Sequence, residues 1–317
     1  MRRLAALAVL AALLATVLFV ALPDRLLWQR VLEDAGHAPV FAGVALAVYS
    51  LLPNRGLEDI PARCWRAFGL AVAFGVGTEL GQKFLPNHDA SVLDAVHDAA
   101  GAAFALALLA GWHGRRDSPV PFDRARSAWL LVVVLASCLI AAWEPLQCAR
   151  AYGQRHAAFP VIAPVGAVAD AAFIGARHAT IEHAVLPGRW AGSGVERAAL
   201  KLTFDPGSRP ALEIREPPPD WRGHDALAVD VTNPGDQPVA MILRVLDAHH
   251  DWSSEDRLNL PVVIDARTRV TVRVSLDALA HAPAHRLMDL SSIANVMLFA
   301  RAPVAGDALY VSSVRLE

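Results

Sequence analysis

The chain has 317 residues, of which 55% are hydrophobic and 19% charged, with a formal net charge of −2. Soluble globular chains carry about 25% charge, so the composition excludes an ordinary water-soluble enzyme, and its apolar content excludes disorder. The near-neutral charge gives no support to a nucleic-acid partner, and three cysteines are too few for a disulfide framework.

The apolar surplus lies in the first half. Leu4 to Leu22 is an unbroken run of 19 apolar or small residues behind Met1-Arg2-Arg3, close to the roughly 20 that a helix needs to cross a bilayer. Two arginines before an apolar stretch also suit a signal peptide. The length of the run, and the lack of a clear A-x-A site before Pro23, favour a retained span. Four further spans are predicted at His37–Leu52, Phe68–Leu85, Val92–Trp112 and Ala128–Leu146.

Arginine placement orients these five spans. With the N-terminus in the cytoplasm, the inner segments hold Arg2, Arg3, Arg55, Arg63, Arg66, Arg115, Arg116, Arg124 and Arg126, and the outer loops hold only Arg25, Arg30 and Lys83. Everything after Leu146 is then expected outside the cytoplasm. Cys138 and Cys148 are ten residues apart, about 15 Å on a helix, too far to bridge. All three thiols are expected to be free.

Ionisable groups inside spans are costly and mark candidate sites. Glu79 and Gln82 share a face of the third span, and Asp94, Asp98 and Gly101 form one stripe of the fourth, with His97 beside it. His37 opens the second span, and Pro86-Asn87-His88-Asp89 links the third to the fourth. The topology puts all of these at the outer boundary. His37, Glu79, Gln82, His88, Asp94 and Asp98 are therefore the candidate binding residues of this half, and Gly77-x-x-x-Gly81 is a candidate for close helix approach. The competing reading is structural: these groups lock the bundle through hydrogen bonds. A metal set drawn from His37, Glu79, His88, Asp94 and His97 lacks a ligand spacing such as H-x-x-x-H, so no metal or other cofactor is expected.

Asp34-x-x-His37, Glu79-x-x-Gln82 with Pro86 following, and Asp94-x-x-x-Asp98-x-x-Gly101 together resemble the VanZ-like membrane family over roughly residues 1–115. This chain departs from that pattern at Ala35, where the family has Lys, at Asn87-His88, where it has Gly-Arg, and at Asp98, where it has Asn. Two cations of the family are thus missing. The resemblance implies a membrane protein of the bacterial cell envelope in a family named for glycopeptide (antibiotic) resistance, and implies no particular reaction.

Residues 149–176, rich in Ala, Gly and Pro, read as a linker. Beyond them the pattern turns to short alternating runs: Ala179–Ala184, Ala199–Phe204, Ala211–Arg215, Ala226–Thr232, Val239–Leu246, Leu258–Ile264, Arg269–Ser275, Asn295–Ala302 and Ala308–Leu316. Asp205-Pro-Gly, Pro217-Pro-Pro-Asp and Asn233-Pro-Gly-Asp punctuate them. Nine short strands at this spacing predict an all-β antiparallel sandwich of jelly-roll type over residues 177–317. The fold class expected for the whole chain is a multi-domain one, an α-helical transmembrane bundle (residues 1–148) followed by that sandwich.

Between two predicted strands lies Asp247-Ala-His-His-Asp-Trp-Ser-Ser-Glu-Asp-Arg257-Leu-Asn259. Planar hydrogen-bonding groups beside an aromatic ring suit a sugar, which makes Asp247, His250, Asp251, Trp252, Asp256 and Arg257 candidate binding residues. Asp247, His249 and Asp251 also suit a hard cation. The third reading is a solvated hairpin with Asp256 and Arg257 paired on its surface. No catalytic pair is assigned. Asp220-Trp221-x-Gly223-x-Asp225-x-Leu227, Asp256-Arg257-Leu258-Asn259, Arg286-x-Met288-Asp289-Leu290 and Leu309-Tyr310-Val311-x-x-Val314-Arg315-Leu316 resemble recurrent segments of carbohydrate-binding-module-like, galactose-binding-like sandwiches. That resemblance implies sugar binding, with Trp221 expected in the core.

The expected function is recognition without covalent chemistry by a multi-pass plasma-membrane protein. Its partners are the lipid bilayer and a lipid-linked glycan or polysaccharide, with no nucleic acid. Two alternatives stay open: an envelope glycolipid-modifying enzyme with Glu79 or Asp94 as general base, and a membrane anchor for a protein-binding sandwich.

Overall fold

Small and apolar residues recurring at three- and four-residue intervals build the first half of the chain as five helices. In the computed structural model these are α1 (Arg2–Phe19), α2 (Leu27–Leu51), α3 (Ile60–Gln82), α4 (Val92–Arg116) and α5 (Arg124–Ala158). The structure describes residues 1–20, 26–54, 56, 59–84, 91–116, 123–163, 165, 172–190, 198–205, 209–301 and 306–317. The chain divides into two units, Met1–Cys148 and Ala149–Glu317.

Among the described residues, α2, α4 and α5 are long and apolar enough to cross a membrane. α1 is apolar but shorter, and α3 carries Arg63, Arg66 and Glu79. The five predicted spans are thus five helices, three of which meet the requirement of length and composition. Along α5, Trp129, Leu131, Val132, Leu135, Leu139, Trp143 and Leu146 are all uncovered by protein, an apolar face far too extensive for water.

α2 begins ten residues before the predicted span: the polar side chains of its first turns, Gln29 to Asp34, are half-buried and continue the helix. His37, Phe41, Val44, Ala45 and Val48 are buried in one stripe. Asp94, His97, Asp98, Gly101, Ala102 and Ala105 form the facing stripe of α4. The two helices meet closest at Gly101: a Cβ there would lie 1.9 Å from the carbonyl oxygen of Ala38. Only glycine fits. A second close approach brings Asp98 of α4 against Gly75 of α3, where a Cβ would lie 2.6 Å from Asp98 Oδ2. The expected Gly77–Gly81 pair does not serve this purpose. Gly77 has nothing within 4 Å of its Cβ position, and Gly81 meets only a leucine methyl at 3.8 Å.

The second unit is an antiparallel sandwich. Its strands are β1 (Val161–Ala163), β2 (Ile174–Arg177), β3 (Ala179–Val185), β4 (Ala198–Phe204), β5 (Ala211–Arg215), β6 (Ala226–Asn233), β7 (Val239–Asp247), β8 (Leu258–Ile264), β9 (Thr268–Ser275), β10 (Ile293–Ala300) and β11 (Ala308–Leu316), with a short helix α6 (Leu276–Ala280) after β9. One sheet runs β3-β4-β11-β6-β9, with β1 also paired to β11; the other runs β2-β5-β10-β7-β8. Alternate residues of both sheets, among them Leu202, Leu227, Val231, Met241, Leu243, Ile264 and Leu309, fill the core between them. Trp221 is fully buried there, as expected, and its indole N–H donates to Pro218 O at 2.7 Å. All nine predicted strands are present. Residues 149–176, read as a linker, contain the last turns of α5 and strands β1 and β2. Tyr152 of α5 donates to Glu216 Oε2 at 2.6 Å, and Arg155 donates to Glu216 O.

Gly101→Ala is expected to destabilise the helical unit by about 1–3 kcal/mol, the usual cost of overpacking, read as a lower thermal midpoint in detergent. Gly77→Ala, in open space, is expected to leave the midpoint unchanged or raised, because alanine is the better helix former.

Candidate functional site

Two constellations of polar groups stand out, one in each unit. In the helical unit, His37 Nδ1 lies 3.0 Å from Asp98 Oδ1, both groups buried. Gly101 brings this about: lacking a side chain, it lets the α2 backbone settle against α4 at Ala38. Glu79 Oε2 accepts from Ser91 N at 2.9 Å. Asp94 is buried one turn from Asp98 on α4. His37, Glu79 and Asp98 each offer one atom within 4.8 Å of the other two. Gln82 is also buried and donates to Val17 O of α1 at 3.0 Å, which ties α3 to α1. His88 lies outside the described residues.

Five of the six candidates of this half are therefore buried, and three converge on one point. His97, read as a neighbour of the stripe and weighed as a metal ligand, is also buried, and its Nδ1 has no partner among the described residues.

In the sandwich, the 247–257 segment is built around an ion pair that sequence spacing does not reveal. Arg286 donates to Asp247 Oδ1 and Oδ2 at 2.7 and 2.5 Å, and to Asp256 Oδ1 and Oδ2 at 2.5 and 3.0 Å. Asp289 N adds a bond to Asp247 Oδ2 at 2.7 Å. Asp247 is 0% exposed. Its carboxylate is engaged by the Arg286 guanidinium and the Asp289 N–H. Asp256 pairs with Arg286 and not with Arg257, so the expected surface pair is corrected. Asp251 accepts from Ser253 N at 2.8 Å while its own N–H donates to Asp256. His250 stands edge-on to Trp252 with ring centroids 4.3 Å apart. Trp252 itself is 76% exposed and sits at φ +71°, a left-handed conformation unusual for a bulky residue.

Burial pushes the Asp247 carboxyl up, but Arg286 and the Asp289 N–H outweigh it and hold it below the ordinary 3.8. Arg286 also holds Asp256 down. The Ser291 and Ser292 hydroxyls and the Ser291 N–H depress Asp289 to about 2.

A further set of polar side chains lies on the outward face of the β2-β5-β10-β7-β8 sheet. Leu212, Ile214, Val296, Leu298, Leu243 and Val245 point to the core, so the residues alternating with them face out. These are Arg177, Glu213, Arg215, Asn295, Met297, Phe299, Ile242, Arg244 and Asn259. Register aligns Glu213 with Met297, Met297 with Arg244, and Arg244 with Asn259. Asn295 donates to Glu213 Oε1 at 2.9 Å, Arg244 donates to Asn259 Oδ1 at 2.8 Å, and the Arg244 guanidinium lies 4.7 Å from the Phe299 ring. Burial, followed by nearby Arg257, Arg209 and Arg177, lowers the Arg244 pKa from its ordinary value. Asn259 reaches Ser254 O at 3.0 Å and so ties the Trp252 loop to this face. The period-two placement of Glu213, Arg215, Arg244, Asn259 and Asn295 was the signal for it in the sequence.

No family model matches the chain, and no curated protein matches it; the VanZ-like resemblance therefore has no family match behind it. Among solved structures, the sandwich is similar to part of an exo-β-agarase, at 18% identity and a TM-score of 0.37, covering 45% of this chain and 22% of that one. It is also similar to a family 11 carbohydrate-binding module from Clostridium thermocellum, solved with a β-1,3-1,4-mixed-linked tetrasaccharide, at 11% identity and a TM-score of 0.32, covering 45% and 87%. A family 29 carbohydrate-binding module follows at 14% identity and a TM-score of 0.28, covering 45% and 79%. The match thus spans about a fifth of the agarase chain.

Arg286→Ala strands the buried Asp247 carboxylate and is expected to destabilise the sandwich by about 3–5 kcal/mol, seen as an early transition in thermal unfolding of the full chain. The depressed carboxylates also set an acid limit. Groups whose folded pKa lies below the unfolded value contribute stability above about pH 4 that is lost as pH falls towards about 2. The midpoint of the sandwich transition is expected to drop over that range, and Asp289→Asn is expected to make the drop shallower.

Proposed function

We propose that this chain is an integral membrane protein that carries a glycan-binding sandwich on the extracytoplasmic side of a bacterial envelope. The observation that carries this reading is the outward sheet face. Glu213 with Asn295 and Arg244 with Asn259 form two hydrogen-bonded pairs of planar donors and acceptors on this face, and the loop bearing exposed Trp252 is tied to it through Asn259. Vicinal hydroxyls need such paired donors and acceptors, and the C–H face of a pyranose needs an exposed ring. Prior ordering of the side chains limits the entropy lost on binding. The uncovered apolar face of α5 and the composition of α2 and α4 support membrane insertion, and the arginine distribution supports an outside sandwich.

The helical unit supports anchoring more than direct capture of a head group. Glu79, Asp94 and Asp98 are buried, and Gln82 is engaged by the α1 backbone. The enzyme alternative loses weight for the same reason, since a general base needs access to the proton it removes.

Screening the detergent-solubilised full chain on an array of β-glucans, galactans and envelope polysaccharides tests the proposal. Retention of a defined glycan class is expected. Arg244→Ala is expected to weaken it about 10- to 100-fold, as loss of a charged hydrogen bond does, and Trp252→Ala about 3- to 10-fold. Failure to retain any glycan, or undiminished binding by Arg244→Ala, would contradict the proposal.

A further inference from the structure

We propose that His37, Glu79 and Asp98 form a binding site for one divalent first-row transition metal ion inside the helical unit. The inference does not rest on glycan binding. The three side chains come from α2, α3 and α4, and each places a ligating atom within 4.8 Å of the others. Metal–ligand bonds of about 2.0–2.2 Å to imidazole and carboxylate set such atoms a little over 3 Å apart around the ion. The 3.0 Å His37–Asp98 contact already meets that spacing, and Glu79 closes on it with a small side-chain movement.

A second observation points the same way. His37, Glu79 and Asp98 are only 9%, 7% and 1% exposed. Among the described residues, Glu79 Oε1 and Asp98 Oδ2 nevertheless have no hydrogen-bond partner. Asp98 Oδ2 is pressed against Gly75 of α3, one turn before Glu79 on the same helix face, so it is aimed at the element that carries the third ligand. Buried carboxylate oxygens without donors are costly, and a coordinated cation is one of the few ways to satisfy them.

The surrounding charge is also unbalanced. Asp34 and Asp94 interact electrostatically with the same cluster, and Asp34 also with Arg30 and Glu144, so carboxylates outnumber the cationic and imidazole groups around His37 and His97. One imidazole with two carboxylates suits zinc, manganese or ferrous iron better than magnesium or calcium, which favour all-oxygen sites. Binding would replace the proton shared by His37 and Asp98 with two coordinate bonds, and that proton would be released to solvent. Three protein ligands leave at least one position open.

The test uses the full chain in detergent, stripped with a chelator and re-equilibrated with zinc chloride. Elemental analysis is expected to give about one zinc per chain. Glu79→Gln keeps an acceptor for Ser91 N–H, so it is expected to fold with an unchanged thermal midpoint in chelator while losing at least about 10-fold in zinc affinity. Cobalt substitution reads the site without any variant. Intense visible d–d bands of low-symmetry Co²⁺ are expected from the wild-type chain. Substoichiometric zinc together with a cobalt spectrum equal to that of aqueous Co²⁺ would overturn the proposal. Equal zinc retention by wild type, Glu79→Gln and His37→Gln would overturn it as well, by placing the ion elsewhere.

Discussion

Charge buried in an apolar bundle has to be satisfied by groups that the bundle itself brings close, and here that depends on the contact between α2 and α4. Gly101 admits the α2 backbone at a distance that no side chain would tolerate, and the contact sets His37 against Asp98. The rest of the helical unit follows from it. Small residues such as Ala67, Ala71, Gly75 and Ala102 keep α3 and α4 near. Gln82 closes α3 onto α1, and Glu79 is drawn to the same buried point as Asp98.

The sandwich solves its own buried-charge problem with a different residue. Arg286 grips two carboxylates at once, and the planar guanidinium fork makes both contacts bidentate in character. One carboxylate, Asp247, ends β7; the other, Asp256, lies just before β8. The clamp therefore shapes the loop between those strands and holds Trp252 out in the open. A loop rich in acids and imidazoles thus owes most of its composition to architecture. The proposed recognition surface is the adjoining sheet face, where arginine and amide side chains alternate with the core residues of the same strands.

Much of this was legible in the sequence, and the gaps have physical causes. The nine predicted strands lie within two residues of those observed, because alternation over a half-buried sheet is a local signal. β1 and β2 escaped because they are only three and four residues long and are imposed by pairing with β11 and β5. α5 outran its predicted end because hydropathy falls at Glu144-Pro145 while helical geometry continues. His37, Glu79, Asp94 and Asp98 were singled out as costly charges, yet their convergence required knowing which glycine admits which helix. Gly77-x-x-x-Gly81 matched the motif, but Gly75 and Gly101 make the contacts. In the sandwich, Asp247 and Asp256 looked like free ligands because their partner lies some 30 to 40 residues away in the chain. Such a pairing leaves no trace in local spacing.

The proposed function depends on one arrangement: a helical half inserted in the bilayer and a sandwich delivered to the far side. The most direct measurement is a pair of fusions at Glu317 of the full chain, one to alkaline phosphatase and one to green fluorescent protein, expressed in a Gram-negative host. An active phosphatase and a dark fluorescent fusion, both in the membrane fraction, are predicted. A fluorescent fusion with inactive phosphatase would put the sandwich in the cytoplasm and contradict the account.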